Sequence, residues 1–510
     1  MNSNLLLLLF GAVFSACVIA AAIVANRAKH PAALFVLFFT EMWERFSFYG
    51  MKALLVAYMS KVLLIEDEPV NLMYGAYMAL VYTFPIVGGY VADKLLGFRK
   101  TILLGGVLMA LGHLVLAIPS TDTFFLGLGF LIGGNGFFKP NISSFLGKFY
   151  AEKQALSDEA YSIFYMGINV GAFIGVLTCA YLGKQVNWHL GFGVAGIFMM
   201  LGLMVFILNR HHFGDLGYSP SPSLLNQKVA SYLKVEYFIY LVAFALIPIF
   251  VFLLRNYQIL DYGFSFSFLA AIGLLLYQCY VHRQEGGENL LIATILIACS
   301  ALFWAFYEQG GGALNFFAAR NVNTLGIEPE MVNNSLNPFY IILLSPVFGY
   351  LWTYLERKNK PWSFSTRFAL GFILLGIGFY SFVVGAKFCS PEGMVGLGWF
   401  ALGYLMISIG EMFLSPVGLA MVSRLSPPKI VGMVMGIWFL ATGYGQFLAG
   451  KIGALMAIPK DDAGEMLSGI QRLAIYTGVF EKITMVSIIF GIMILLFFTI
   501  KNKMRSASQA

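Results

Sequence analysis

Seven charged residues stand inside stretches that are otherwise apolar. Glu41, Glu44, Arg45 and Lys52 share one stretch, Lys139 lies in a second, Glu308 in a third and Glu411 in a fourth. On insertion scales each such charge costs about 2.5–3.5 kcal/mol at the middle of a bilayer. Glu41, Arg45, Tyr49 and Lys52 step by four, four and three residues, which sets them along one helix face with Glu44 beside them. Four negatives face three positives, so one carboxylate is in excess when all are ionised. A buried carboxylate without a balancing cation favours its protonated form. A charge set that is neutral only when it holds a proton can couple that proton to another event. A purely structural ion-pair network is the other reading of the same residues.

Tyr49, Tyr82, Asn169, Trp304, Asn337, Ser415 and Trp438 are the further polar or aromatic candidates in these stretches. Taken singly, each also fits helix packing or an interfacial aromatic belt. The five cysteines are scattered without a CxxC pair, and the six histidines form no metal spacing. No nucleophile–base pair stands out, so neither catalytic residues nor metal ligands are expected, and a membrane enzyme or sensor is poorly supported.

The elements that must position these residues are membrane helices. Of the 510 residues 59% are hydrophobic and 11% charged, where a soluble chain carries about 25% charged residues. Apolar blocks of about 20 residues match a hydrocarbon core of roughly 30 Å. Lipid offers no partner for backbone polar groups, so such blocks must be helical. The alternation of a membrane β-barrel is absent. Spans are read at 32–60, 73–92, 101–118, 123–147, 160–183 and 189–208, then 236–255 and 262–281, then 290–317, 334–355, 364–386, 395–423, 430–453 and 476–499. The polar stretch 209–235, with Gly, Pro and Ser, breaks the series. An apolar block at 4–25 precedes it. Without a positive n-region, and with Arg27 and Lys29 directly after it, this block reads as an extra span rather than a signal peptide; a misassigned start is a third reading.

Lysine and arginine in the loops orient the chain. Twenty fall on one side, among them Lys94, Arg99, Lys100, Lys148, Lys228, Lys360 and Lys501. Nine fall on the other, among them Lys61, Lys184, Arg320, Lys387 and Lys460. The first side is expected to be cytoplasmic, with the C-terminus inside. The net charge of +7 then reflects topology rather than a nucleic-acid surface.

Pro85-Ile-Val-Gly88 ends the second span and Pro346-Val-Phe-Gly349 the second span of the later half; Lys139-Pro140 and Ser415-Pro416 occupy corresponding fourth spans. These echoes suggest duplicated halves, as in the major facilitator architecture, with a substrate site near the midplane between them. The expected fold is an all-α membrane protein of the major facilitator fold. It has two six-helix halves, an inserted two-helix pair (14 helices in all) and an extra N-terminal helix. The expected division is an N-terminal segment at 1–31, a six-helix bundle at 32–208, linker and inserted pair at 209–288, a second bundle at 289–500 and a cytoplasmic tail at 501–510.

Five motifs carry a family resemblance. Glu41-Met-Trp-Glu44-Arg45 resembles the ExxER motif of the proton-dependent oligopeptide transporters. Gly88-Gly-Tyr-Val-Ala-Asp93-Lys-Leu-Leu-Gly97, Gly136-Phe-Phe-Lys139-Pro-Asn141-Ile-Ser-Ser144, Phe164-Tyr-Met-Gly-Ile-Asn169-Val-Gly171 and Glu411-Met-Phe-Leu-Ser415-Pro416 resemble that family's further signatures, in the same order. The resemblance covers residues of about 32–500 and includes the inserted pair of bacterial members. It implies a symporter in the inner membrane that takes di- and tripeptides with protons and needs no other cofactor. It places Glu41, Glu44, Arg45 and Glu308 in proton coupling. Arg45, Lys52 and Lys139 would face the peptide carboxylate, and Asn169, Asn337 and Glu411 the amino end and backbone. Tyr49, Tyr82, Trp304, Ser415 and Trp438 would line side-chain pockets, and Lys52 with Glu308 an outer gate. The chain is expected to act as a monomer in the lipid bilayer, with no nucleic-acid partner. Phe48 stands where many members have Tyr, and Lys52 where Arg is common, which keeps the charge but loses the bidentate fork. The block 4–25 falls outside the family pattern. A transporter of the same fold for another small solute, such as nitrate or a peptide-like drug, is the alternative.

Overall fold

The computed structural model describes residues 2–229, 232–358, 362–459 and 467–507; Lys360 and Lys460, counted above on opposite sides, lie outside them. The first helices are α1 (Ser3–Asn26), α2 (Ala32–Lys61), α3 (Asp67–Thr83), α4 (Pro85–Val91), α5 (Phe98–Leu116), α6 (Thr121–Lys148), α7 (Gln154–Gln185) and α8 (Trp188–Leu208). A short helix α9 (Pro222–Asn226) and a two-residue hairpin, β1 (Lys228–Val229) with β2 (Leu233–Lys234), fill the polar stretch. Then come α10 (Val235–Arg255), α11 (Ile259–Val281), α12 (Gly287–Tyr307), α13 (Ala313–Asn321), α14 (Pro329–Arg357), α15 (Phe364–Ala386), α16 (Leu397–Leu425), α17 (Val431–Ala454) and α18 (Gly469–Ala507). Strand β3 (Val322–Asn323) pairs in parallel with β4 (Val395–Gly396).

Among the described residues, 13 segments are long and apolar enough to cross a bilayer. α2 is not among them because of its buried charges, nor is α6, whose glycines and Asn135 lower its hydropathy. With these two the count is 15: α1, then six, two and six. This is the all-helical fold class read from the sequence. Two of the spans are broken rather than continuous. Pro85 separates α3 from α4. Gly310, Gly311 and Gly312 separate α12 from α13, with a 3-10 turn at Glu308–Gly310. Three adjacent glycines hold a helix weakly because each loses the most conformational freedom on ordering.

The chain divides into two compact units, Met1–Ile65 with Ala76–Leu260, and Glu66–Gly75 with Asp261–Ala510. In the first, α2 and α7 are packed backbone to backbone. A Cβ on Gly171 would lie 2.1 Å from the Met42 carbonyl oxygen, and one on Gly175 would lie 2.4 Å from that of Phe46. The four-residue spacing of Gly167, Gly171 and Gly175 gives α7 a flat strip into which α2 settles, the usual device where lipid gives helices no hydrophobic reason to associate. Gly88 of α4 meets Gly136 of α6 as closely, and Asn141 Nδ2 donates to Gly88 O at 3.0 Å. These contacts account for Gly88, Gly136, Gly167, Gly171 and Asn141 in the motifs. α1 lies on α7, where Gly11 meets Leu177, and α10 lies on α6, with Ile247 against Gly129 and Gly133. In the first turn of α5, Arg99 Nε donates to Leu216 O at 2.7 Å and its guanidinium stands 4.2 Å over the Tyr218 ring, strapping the polar stretch to the start of that helix.

In the second unit Gly371 and Gly410 bring α15 against α16, and Gly445 brings α17 against Ala301 of α12. Phe317, Phe382, Phe400 and Phe480 form an aromatic core among α13, α15, α16 and α18. α11 belongs here, with Phe264 stacked on Phe447 and Lys451 Nζ donating to Asp261 Oδ2 at 2.5 Å. The first turns of α3 also belong here, since Gly75 meets Gly450 and Asp67 pairs with Arg320. The inserted helices α10 and α11 are therefore divided, one to each unit.

Candidate functional site

Each unit carries its own polar cluster, with a fully buried charged triad in the first and a half-buried carboxylate in the second. In the first, α2 presents Glu41, Glu44 and Arg45 with side chains almost wholly removed from solvent, at 3%, 0% and 2% exposure. Arg45 Nε lies 2.8 Å from Glu41 Oε1 and 2.5 Å from Glu44 Oε2. One guanidinium thus serves two carboxylates, and this triad by itself carries one negative charge more than positive. Lys139 is the next cation whose field reaches both carboxylates. Lys139 sits on α6 beside Pro140, with its ammonium 4.0 Å over the Tyr82 ring. Tyr49 and Tyr82 both fall within the field of Arg45. Lys52, buried one turn beyond Tyr49, lies 5.7 Å over the Tyr49 ring. The structure thus brings Glu41, Glu44, Arg45, Tyr49, Lys52, Tyr82 and Lys139 into one neighbourhood. Asn169 is buried on α7, and its Nδ2 turns back to Tyr165 O at 2.9 Å.

In the second unit the cluster is built on Glu411 of α16. Its Oε2 accepts from Tyr307 Oη at 2.6 Å and from Asn337 Nδ2 at 2.9 Å, and the same Nδ2 lies 3.0 Å from Ser408 Oγ. Three helices, α12, α14 and α16, meet at this carboxylate. Trp304 packs edge-on to Tyr307 with ring centroids 5.2 Å apart. Glu308 follows Tyr307, is 5% exposed and opens the 3-10 turn. Ser415 lies one turn along α16 from Glu411 and is half-buried. Trp438 is buried on α17 against Gly418, where an added Cβ would touch its ring. Trp304, Asn337 and Glu411 are thus brought together, and Ser415 and Trp438 stand further along the same unit.

The sequence reading did not single out Tyr307 and Ser408. Both were legible as spacing: Tyr307 is three residues after Trp304 and Ser408 three before Glu411, each on the same helix face as a named candidate. It also missed the polar side chains that repair the break after α12. Asn333 Nδ2 donates to Gly310 O at 2.8 Å, Asn315 Nδ2 to Gly311 O at 2.7 Å, and Tyr404 Oη to Asn333 Oδ1 at 2.6 Å. Backbone carbonyls released by a break at membrane depth must find such partners.

The chain has wide similarity to known proteins. The sequence profile of the POT family matches residues 99–468. The dipeptide and tripeptide permease A of Proteus mirabilis is 32% identical over 486 residues, covering 94% of this chain and 96% of that protein. The dipeptide and tripeptide permease B of Salmonella typhimurium is 31% identical over 467 residues, covering 90% of this chain and 93% of its own length. A crystal structure of the peptide transporter POT in complex with sulfate aligns with a TM-score of 0.76 at 32% identity, over 92% of this chain and 95% of that one. A structure solved for substrate recognition in proton-dependent oligopeptide transporters aligns with a TM-score of 0.76 at 28% identity, over 91% and 97% of the two chains.

Proposed function

The chain belongs to the POT family, and from that premise we propose that it is a proton-coupled symporter that brings di- and tripeptides across the inner membrane by alternating access of its two six-helix halves. It is a transporter and not an enzyme. The halves are taken as residues 32–208 and 289–500, joined by the linker and inserted pair at 209–288, with the polar stretch and the C-terminal tail facing the cytoplasm. The chain acts as a monomer, and the proton is its coupling ion.

The observation that carries this reading is the chemical contrast between the two polar clusters. The first unit gathers Arg45, Lys52 and Lys139 around aromatic rings. The second offers the carboxylate Glu411 amid neutral donors. A short peptide is a zwitterion, and a cationic pole in one unit with an anionic pole in the other supplies a counter-charge for each of its ends. Arg45, Lys52 and Lys139 take the peptide carboxylate. Glu411, Asn337 and Asn169 take the amino end and backbone, and Tyr49, Tyr82, Trp304, Ser415 and Trp438 line the side-chain pockets.

Coupling follows from the shared guanidinium. Arg45 Nε divides its contacts between Glu41 and Glu44. A proton on Glu44 leaves Glu41 and Arg45 as a neutral pair and loosens one claim on the guanidinium, which can then turn toward a substrate carboxylate. Proton and peptide therefore favour each other's binding, and that coupling is reciprocal by linkage. Glu308, at the glycine break of the second unit, is the second proton-coupling group.

The test is uptake of a labelled dipeptide into proteoliposomes with and without an imposed proton gradient. Accumulation above the outside concentration is expected only with the gradient. Gradient-independent accumulation, or none for any di- or tripeptide, would reject the proposal.

A further inference from the structure

Glu411 has rotatable bonds enough to present its carboxylate in many directions, yet one oxygen is fixed from two sides. Tyr307 reaches Oε2 from the last position of α12, and Asn337 reaches the same oxygen from α14. The Tyr307 contact, at 2.6 Å, falls in the range of a charge-assisted O–H···O⁻ bond, about 2.5–2.7 Å. The phenol ring is itself held. Phe303 lies parallel to it at 6.1 Å and Trp304 stands edge-on at 5.2 Å. Asn337, by comparison, divides its Nδ2 between Glu411 and Ser408. Of these two donors the Tyr307 hydroxyl makes the shorter contact with the carboxylate. Two donors on one oxygen restrain the carboxylate's position, and so the direction in which it meets a cation.

We propose that Tyr307 is a positioning residue that aims Glu411 at the peptide's ammonium group and so sets the preference for substrates with a free amino end. The proposal rests on the peptide reading above and adds a residue to it. Loss of the hydroxyl leaves the aromatic seat and the charge of Glu411 in place but removes the shorter of these two contacts, so the carboxylate is held less firmly. Substrates that need Glu411 must then bear the cost of ordering it, whereas substrates that do not use it are indifferent.

The experiment compares the parent protein with Tyr307→Phe, Glu411→Gln and the double variant, each full-length in proteoliposomes. A labelled dipeptide is competed by an unmodified dipeptide and by its N-acetyl analogue, in counterflow. Tyr307→Phe is expected to weaken the unmodified dipeptide about tenfold, the scale of one hydrogen bond to a charged group. The N-acetyl analogue should move by less than about twofold, within the spread of independent effects. The loss should fall on the half-saturating concentration rather than on the maximal rate. In the Glu411→Gln background the same substitution should cost little more, since the two residues act as one unit. Equal weakening of both competitors, or full additivity in the double variant, overturns the positioning role and leaves the transport reading intact. A parent protein that carries no dipeptide overturns both.

Discussion

Arg320 and Asp67, 253 residues apart, form a two-pronged ion pair: Nη2 meets Oδ1 at 2.8 Å and Nη1 meets Oδ2. The guanidinium also stands 4.6 Å over the Phe316 ring, and Asp67 Oδ2 accepts from the Ile458 amide at 3.3 Å. This pair anchors the first turn of α3 within the second unit. Removing one partner of a buried pair costs about 3–5 kcal/mol, and Arg320, 18% exposed, places Asp67→Asn near the lower figure. Arg320→Lys keeps the charge but loses the fork, for a smaller loss of about 1.5 kcal/mol. Thermal unfolding in detergent should rank the parent above Arg320→Lys and Arg320→Lys above Asp67→Asn. An unchanged midpoint for Asp67→Asn would show that the pair contributes nothing to stability.

The seat of the charged triad is a second target. Gly171→Ala would place a methyl carbon 2.1 Å from Met42 O, with no flexible side chain to yield. Forcing α2 from α7 should cost about 1–3 kcal/mol, as overpacking does, and lower transport by disturbing Glu41 and Arg45. Gly273 on α11 has open space around it. Gly273→Ala should be neutral or stabilising by up to about 1 kcal/mol. Equal stability of the two variants would refute the close approach.

The broad plan was legible in the sequence because lipid allows so few solutions. Apolar blocks give the spans, and the charges inside them mark α2, α6, α16 and the end of α12. The breaks at Pro85 and at Gly310–Gly312 fall inside single apolar blocks, because hydropathy measures burial and not helix continuity. Arg320 read as a loop cation, since nothing near it in sequence signals Asp67. Tyr307 and Ser408 share helix faces with named candidates, but a tyrosine or serine in a membrane helix is ordinary until its partner is known. Pairings across hundreds of residues are set by tertiary packing, which a single sequence does not display.

Glu44 bears on the coupling step. It is fully buried, and its contact with Arg45 is the shorter of the two. Glu44→Gln keeps the volume and removes the titratable group. Gradient-driven uptake should fall until inside and outside concentrations are equal, while counterflow of peptide is partly retained. Glu41→Gln, measured alongside, shows how the two carboxylates divide the task. Full accumulation in the Glu44 variant would place coupling elsewhere.

Orientation can be read with cysteine labelling in a background without the five native cysteines. A cysteine at Lys228, in the β1–β2 hairpin, should react with a membrane-impermeant maleimide only after the membrane is opened. One at Lys387, at the end of α15, should react in intact cells. The reverse pattern would invert the topology drawn from the 20-to-9 split of loop cations.

The most demanding expectation concerns how two ends of one ligand are held. Contacts to the termini and backbone do not depend on side-chain identity, so affinity should vary little with sequence and sharply with length. Blocking either end leaves a buried group without its counter-charge, which costs about 1–3 kcal/mol or more, roughly tenfold to a hundredfold in affinity. The effects should also sort by pole. Lys139 lies over Tyr82 in the first unit, and Glu411 is bound by Tyr307 and Asn337 in the second. Lys139→Gln should weaken free-carboxylate dipeptides more than their amides. Glu411→Gln should weaken free-amino dipeptides more than N-acetylated ones. Arg45→Gln should resemble Lys139→Gln for binding but also lose accumulation, because Arg45 is shared with Glu41 and Glu44. Competition by unmodified, amidated and N-acetylated dipeptides against one labelled dipeptide measures all of this in a single design. If blocked and unblocked dipeptides compete equally well with the parent protein, neither pole holds a terminus, and the solute is to be sought among compounds without paired end charges.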